Sequence, residues 1–175
     1  FNTELIAVPK FPFQSYYEYF KSYLDGIVND YDIIGVSSLF STSYQSLIEL
    51  GDALREKWPN KIILAGGPVP SGSYREIFRD TKSYDALCYG EAEIPLLELV
   101  EVNDEKLVLA KGSSWITNDK VDRGEQFSHN VIDDLDEIPF YDYDLVDAKK
   151  YGLNPAITAY HGVTSHEKNF HFITS

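Results

Sequence analysis

Three short segments of the sequence carry residue types suited to holding a small ligand. Ser37-Ser38-Leu39-Phe40-Ser41-Thr42 is rich in hydroxyls, Gly66-Gly67-Pro68 presents backbone without side chains, and Gly90-Glu91-Ala92-Glu93 sets a glycine beside carboxylates. Hydroxyls can donate and accept hydrogen bonds at the polar edge of a neutral ligand. Paired glycines let a planar group come close to the backbone and adopt positive φ without steric cost. Any one of these segments alone also reads as ordinary turn and capping chemistry; the three together are more informative. No Gly-x-Gly-x-x-Gly follows a strand-like run, and no Gly-x-x-x-x-Gly-Lys-Ser/Thr occurs anywhere. A dinucleotide cradle and a P-loop are therefore excluded.

Other reactive residue types carry less. Cys88 sits inside an apolar run and reads as a buried structural thiol. A lone cysteine forms no internal disulfide and cannot by itself hold zinc or an iron–sulfur cluster. His161, His166 and His171 are five apart, a spacing that shares one face of neither a helix nor a strand, so they read as polar linker residues. His129 has no partner evident from the sequence. The acidic run Asp133-Asp134-Leu135-Asp136-Glu137 lacks the Asp-x-Asp-x-Asp-Gly pattern of a calcium loop and reads as a solvated linker. No residue is assigned a catalytic or metal-ligating role.

The elements that must position the three segments follow from hydrophobic patterning. Over the first 100 residues short β-type runs alternate with longer helical ones, the pattern of βαβ units and a parallel sheet. Glu4-Leu5-Ile6-Ala7-Val8 is expected to be a strand, followed by an aromatic loop, Lys10-Phe11-Pro12-Phe13. Residues 16–28 place Tyr16, Tyr19, Phe20, Tyr23, Leu24 and Ile27 at helical spacing, with Asn29-Asp30 closing the helix. The aromatic cluster from Phe11 to Phe20 is expected to pack this helix on the sheet. Tyr31-Asp32-Ile33-Ile34-Gly35-Val36-Ser37 is nearly unbroken apolar sequence, as a central strand buried on both faces requires.

Thr42 or Ser43 can cap a helix that ends at Trp58-Pro59, and a strand over 61–65 comes next. A loop over 66–70, a short helix over 73–80, a strand over 86–89 and a helix over 94–100 complete the series. Beyond 103 the character changes. Leu107-Val108-Leu109-Ala110 and Ser114-Trp115-Ile116-Thr117 suggest a small hairpin, with Asn118-Asp119-Lys120 as a polar turn. The expectation is an α/β, Rossmann-like, three-layer parallel sheet over 1–102, a hairpin extension over 103–132 and an extended linker over 133–175. Ligands of such sheets bind outside the carboxyl ends of the strands, where all three candidate segments fall.

Composition bounds the function. The 175 residues carry 15 Lys+Arg against 28 Asp+Glu, a formal charge of −13, with 43% hydrophobic and 14% aromatic residues. That is one domain's worth of chain with enough apolar sequence for a core. Without a basic cluster, duplex nucleic acid and anionic membranes are excluded as partners. No apolar run approaches a bilayer span, and no leader pattern opens the chain, so it reads as a cytoplasmic protein. It begins at Phe1 rather than Met, which points to a piece of a longer protein.

The order of segments carries a resemblance. Ser37-Ser38-Leu39 and Gly66-Gly67 look like the Ser-x-Leu…Gly-Gly part of the cobalamin-binding domain signature. That signature opens with Asp-x-His-x-x-Gly, whose position would fall before Phe1. The longer series Asp32 to Ser37, Ile63-Leu64-Ala65-Gly66-Gly67-Pro68, Tyr89-Gly90-Glu91-Ala92-Glu93 and Leu135-Asp136-Glu137-Ile138-Pro139 is similar to cobalamin-binding radical S-adenosylmethionine proteins. That group includes the anaerobic Mg-protoporphyrin IX monomethyl ester cyclases and cobalamin-dependent methyltransferases.

The resemblance implies that cobalamin lies over the carboxyl edge of the sheet, held by Ser37, Ser38, Leu39, Ser41, Thr42, Gly66, Gly67, Pro68, Gly90 and Glu91. It implies a radical S-adenosylmethionine domain as partner, beginning after Phe172-Ile173-Thr174-Ser175. That domain would hold a 4Fe-4S cluster on Cys-x-x-x-Cys-x-x-Cys and bind S-adenosylmethionine. The segment alone would then have no activity. Two other readings stand beside it: a Rossmann-like binding or interaction module without cobalamin, and a flavodoxin-like flavin domain. The second is weakened because Pro9, Lys10 and Pro12 replace a hydroxyl-rich phosphate cradle.

Overall fold

The structure, a computed structural model, describes residues 15–28, 30–102 and 104–139. Described residues up to 135 fall in one compact unit, and 136–139 fall in a second. The expected strand over 4–8, its aromatic loop, the greater part of the linker and the three C-terminal histidines lie outside the described residues.

The helix α1 (Tyr16–Asp25) starts where the Ser15 hydroxyl accepts from the Glu18 N–H at 3.3 Å. It buries Phe20 and Leu24. Strand β1 (Ile33–Ser37) leads through a 3₁₀ turn at Ser41–Ser43 into α2 (Tyr44–Lys57), which ends at Trp58. Strand β2 (Ile62–Gly66), helix α3 (Pro68–Asp80), strand β3 (Ala86–Cys88) and helix α4 (Glu93–Glu101) follow. Then come α5 (Glu105–Lys111), β4 (Trp115–Ile116) and α6 (Asn118–Asp122).

The four strands form one sheet in the order β1-β2-β3-β4, with the first three parallel. Alternation along β2 divides the core into two layers. Ile63 and Ala65 join Phe20, Leu47, Leu54, Ile77 and Phe78 on one side; Leu64 joins Leu99, Leu109 and Trp115 on the other. This is the expected α/β, Rossmann-like arrangement with helices on both faces.

Four expectations are corrected. β1, expected to be buried on both faces, has exposed and half-buried residues, and the fully buried positions belong to β2 and β3; an apolar run alone does not fix the degree of burial. Among the described residues β1 pairs with β2, and the strand expected over 4–8 lies outside them. The loop over 66–70 is shorter than expected. Helix α3 begins at Pro68, where proline's fixed φ suits the first helical position, and kinks at Ser73. The hairpin is replaced by a helix and a strand. The Asp104 carboxylate accepts from the Leu107 N–H at 3.0 Å and starts α5, while β4 pairs antiparallel with β3, Leu87 opposite Ile116 and Cys88 opposite Trp115. The turn over 118–120 is the start of α6, and Lys120 is 2% exposed.

Candidate functional site

Parallel pairing fixes the level at which the loops leave the sheet. Ser37 lies opposite Gly66. The Ser38 N–H then donates to the Gly66 carbonyl at 3.0 Å, carrying the ladder one step beyond the strands. The Val69 N–H at the start of α3 donates to the Ser38 carbonyl at 3.3 Å. Ser38, Gly66, Gly67 and Pro68 are thereby brought together at one carboxyl edge.

The loop from Ser38 to Ser43 is folded on itself. The Ser38 and Ser43 hydroxyl oxygens are 3.1 Å apart, and Ser43 Oγ donates to the Phe40 carbonyl at 2.5 Å. Ser43 occupies the N-cap position of α2, but its hydroxyl is used in this loop rather than on the helix amides. Ser38 is buried, whereas Ser37, Ser41 and Thr42 are exposed. Leu39 and Phe40 are 59% and 67% exposed, an apolar pair raised beside exposed hydroxyls.

The two glycines differ. Gly67 has φ 102° and ψ −179°, a region open in practice to glycine alone, and a Cβ there would lie 2.7 Å from the Ser38 carbonyl oxygen. At Gly66 a Cβ would meet the Cys88 Cβ at 3.7 Å, an ordinary contact. Gly67 is thus required by the turn itself, and Gly66 leaves a stretch of backbone bare at the strand end.

Ser71, one turn into α3, ties the third strand to this edge. Its Oγ accepts from the Gly90 N–H at 3.0 Å and lies 3.3 Å from the Cys88 carbonyl, to which it donates. Gly90 has φ +80°, and a Cβ on it would fall 2.0 Å from His129 Nδ1. Glu91 is exposed, and its carbonyl accepts from Cys88 Sγ at 3.7 Å. Burial first, and the Glu93 carboxylate second, push the Cys88 thiol up to about 11. Glu93 opens α4, where the helix dipole favours a carboxylate.

Sequence reasoning missed Ser71, which stood inside an expected loop-to-helix stretch, and left His129 without a place. The fold seats His129 against Tyr89, ring centroids 4.6 Å apart, and Phe127 between Tyr74 and Tyr89 at 5.5 and 6.2 Å. No local sequence signal links residue 129 to residue 90. Among the described residues no group of three or more His, Cys, Asp or Glu could hold a metal ion, and no helix is long and apolar enough to cross a membrane.

Comparison with known proteins falls on this same framework. A protein of Pyrococcus horikoshii named as an uncharacterized methyltransferase is 30% identical over 126 residues, which is 70% of this chain and 26% of the relative. The chain therefore spans about a quarter of the length of the curated relative it matches. The B12 binding domain family matches residues 26–100, the stretch that supplies β1, β2 and β3 with the loops at their carboxyl ends.

Proposed function

We propose that this chain contains the cobalamin-binding module of a methyltransferase-like protein, with residues 1–102 as the binding domain and 103–132 as its extension. The observation that carries the reading is the match of residues 26–100 to the B12 binding domain family, since it falls on the three parallel strands whose loops share one edge. Open α/β sheets bind their ligands at that edge, outside the carboxyl ends of the strands.

The residues there fit such a group. Gly66 leaves room where a side chain would project, Leu39 and Phe40 offer apolar surface to a flat macrocycle, and Ser37, Ser41 and Thr42 have exposed hydroxyls for its polar fringe. Ser38, Gly67 and Pro68 shape the turn, while Gly90 and Glu91 bound the edge on the side of β3. When bound, cobalamin supplies a corrin-held cobalt that carries a methyl group or takes part in electron transfer. The chain's own part is to bind and orient it. The order of motifs along the sequence further supports a radical S-adenosylmethionine domain, with its 4Fe-4S cluster and S-adenosylmethionine, as the catalytic partner in a cytoplasmic enzyme.

The test is equilibrium dialysis of the purified chain against hydroxocobalamin, with flavin mononucleotide as control. Retention of cobalamin alone is expected, and Gly66→Leu should abolish it. The added side chain would enter the space the corrin needs, while its Cβ meets the fold at an ordinary distance. Undiminished retention in Gly66→Leu, with unchanged circular dichroism, would remove the site; retention of the flavin alone would favour the flavodoxin-like reading.

A further inference from the structure

We propose that His129 is a ligand-contacting residue of the carboxyl edge, its imidazole hydrogen-bonding a carboxamide on the periphery of the bound corrinoid. The inference rests on the cobalamin reading above, and it extends the site beyond residues 26–100 to a part of the chain that the family match does not cover.

His129 is held in place through the two residues that precede it. The Ser128 N–H donates to the Ser113 carbonyl at 3.2 Å, the Ser114 hydroxyl donates to the Ser128 carbonyl at 2.8 Å, and the Ser128 and Ser113 hydroxyls are bonded at 2.8 Å. Phe127 is fixed by its two tyrosine contacts. Residues 127–129 thus form a strap across the end of β3. Because the Tyr89 N–H donates to the Ser114 carbonyl at 2.8 Å, the strap and the loop at Gly90 share one anchor.

The imidazole is oriented by packing alone. Nδ1, Cε1 and Cγ are its atoms nearest to the space above Gly90, at 2.0, 2.9 and 3.0 Å from where a Cβ would stand, so Nε2 lies on the far side of the ring. Among the described residues the ring has an aromatic neighbour, Tyr89, and no hydrogen-bond or ion-pair partner, and the residue is exposed. A residue that only filled the space above Gly90 would need no polar atoms. An imidazole in a fixed pose with an unengaged nitrogen, beside a binding edge, is suited to a neutral ligand that offers both a carbonyl acceptor and an amide donor. Carboxamides fringing a corrin ring have both.

The experiment measures hydroxocobalamin affinity of the full chain by equilibrium dialysis for the native sequence, His129→Ala, His129→Gln and His129→Phe, with circular dichroism to verify the fold of each. His129→Ala should weaken binding about fivefold, equivalent to about 1 kcal/mol. His129→Gln, which keeps a donor and an acceptor, should recover most of the loss, and His129→Phe should not. Equal affinity in His129→Ala, or recovery by Phe as full as by Gln, overturns the hydrogen-bonding role while leaving the cobalamin reading intact. A native chain that retains no hydroxocobalamin overturns both.

Discussion

Gly66 and Gly67 are identical letters with different physics. Gly67 holds φ 102° and ψ −179° with the Ser38 carbonyl oxygen 2.7 Å from the missing Cβ, so Gly67→Ala should cost roughly 1–3 kcal/mol of stability in urea unfolding. Gly66→Ala, at a strand end with an ordinary contact in prospect, should shift stability by less than about 1 kcal/mol either way. Equal stabilities for the two variants would contradict the backbone assigned to the turn. Cys88 is a second residue whose behaviour follows from position. At 2% exposure, and with its thiol pushed up to about 11, it presents neither access nor thiolate at pH 8. Its labelling by a thiol reagent should be far slower in the native protein than in urea, and fast native labelling would show the strand end opening.

At the level of elements, α5, β4 and α6 depend on one buried ammonium. Lys120 Nζ donates to the carbonyls of Leu109, Gly112 and Trp115 at 2.9, 2.7 and 2.9 Å. It closes the end of α5, where carbonyls lack helical partners, and fastens it to β4. Lys120→Met keeps the stem but strips three carbonyls of their donor, so a loss of at least about 2 kcal/mol is expected from urea unfolding. A smaller loss would mean that water takes over the ammonium's role. This device explains what was legible in the sequence and what was not. The strands around Ile34, Ile63 and Leu87 and the long face of α2 could be read because their periodicity is local. The four apolar residues from Leu107 to Ala110 suit a strand or a helical turn equally, and the choice is made by Asp104 at the start of α5 and Lys120 at its end. In the same way the sequence placed Gly66, Gly67 and Gly90 at strand ends, but it carried no sign that Ser71 and His129 converge on Gly90, because those contacts are tertiary.

Across the whole molecule, the pH dependence of stability on the alkaline side should be set mainly by Tyr84. Its ring packs where a Cβ on Gly51 would stand, 2.7 Å from the nearest ring carbons, and its hydroxyl donates to the Leu47 carbonyl at 2.6 Å, fixing α2 to the segment before β3. Burial first, then the Asp52 charge, pushes the phenol far above its ordinary value. An unfolded chain ionises this tyrosine near pH 10, whereas the folded chain keeps the proton. The unfolded state therefore binds fewer protons above about pH 10, and stability falls as pH rises. Tyr44, pushed up to about 12 by burial and then by its bond to Asp80, acts with the same sign. Lys120, whose ammonium is held below its ordinary value by burial, acts with the opposite sign, because its unfolded form keeps the extra proton as pH approaches 10.5. Growing negative charge on a chain already at −13 adds a general repulsion that any variant shares. Comparing Tyr84→Phe with the native chain at fixed salt removes that common part. Below about pH 10 the variant should be less stable by about 1 kcal/mol, since the Leu47 carbonyl loses its donor, and between pH 10 and 12 its stability should decline less steeply, so that the gap to the native chain closes. A parallel decline in both proteins would transfer the alkaline limb to Tyr44 and the surface charge, and would mean that the phenol of Tyr84 reaches water before the fold is lost.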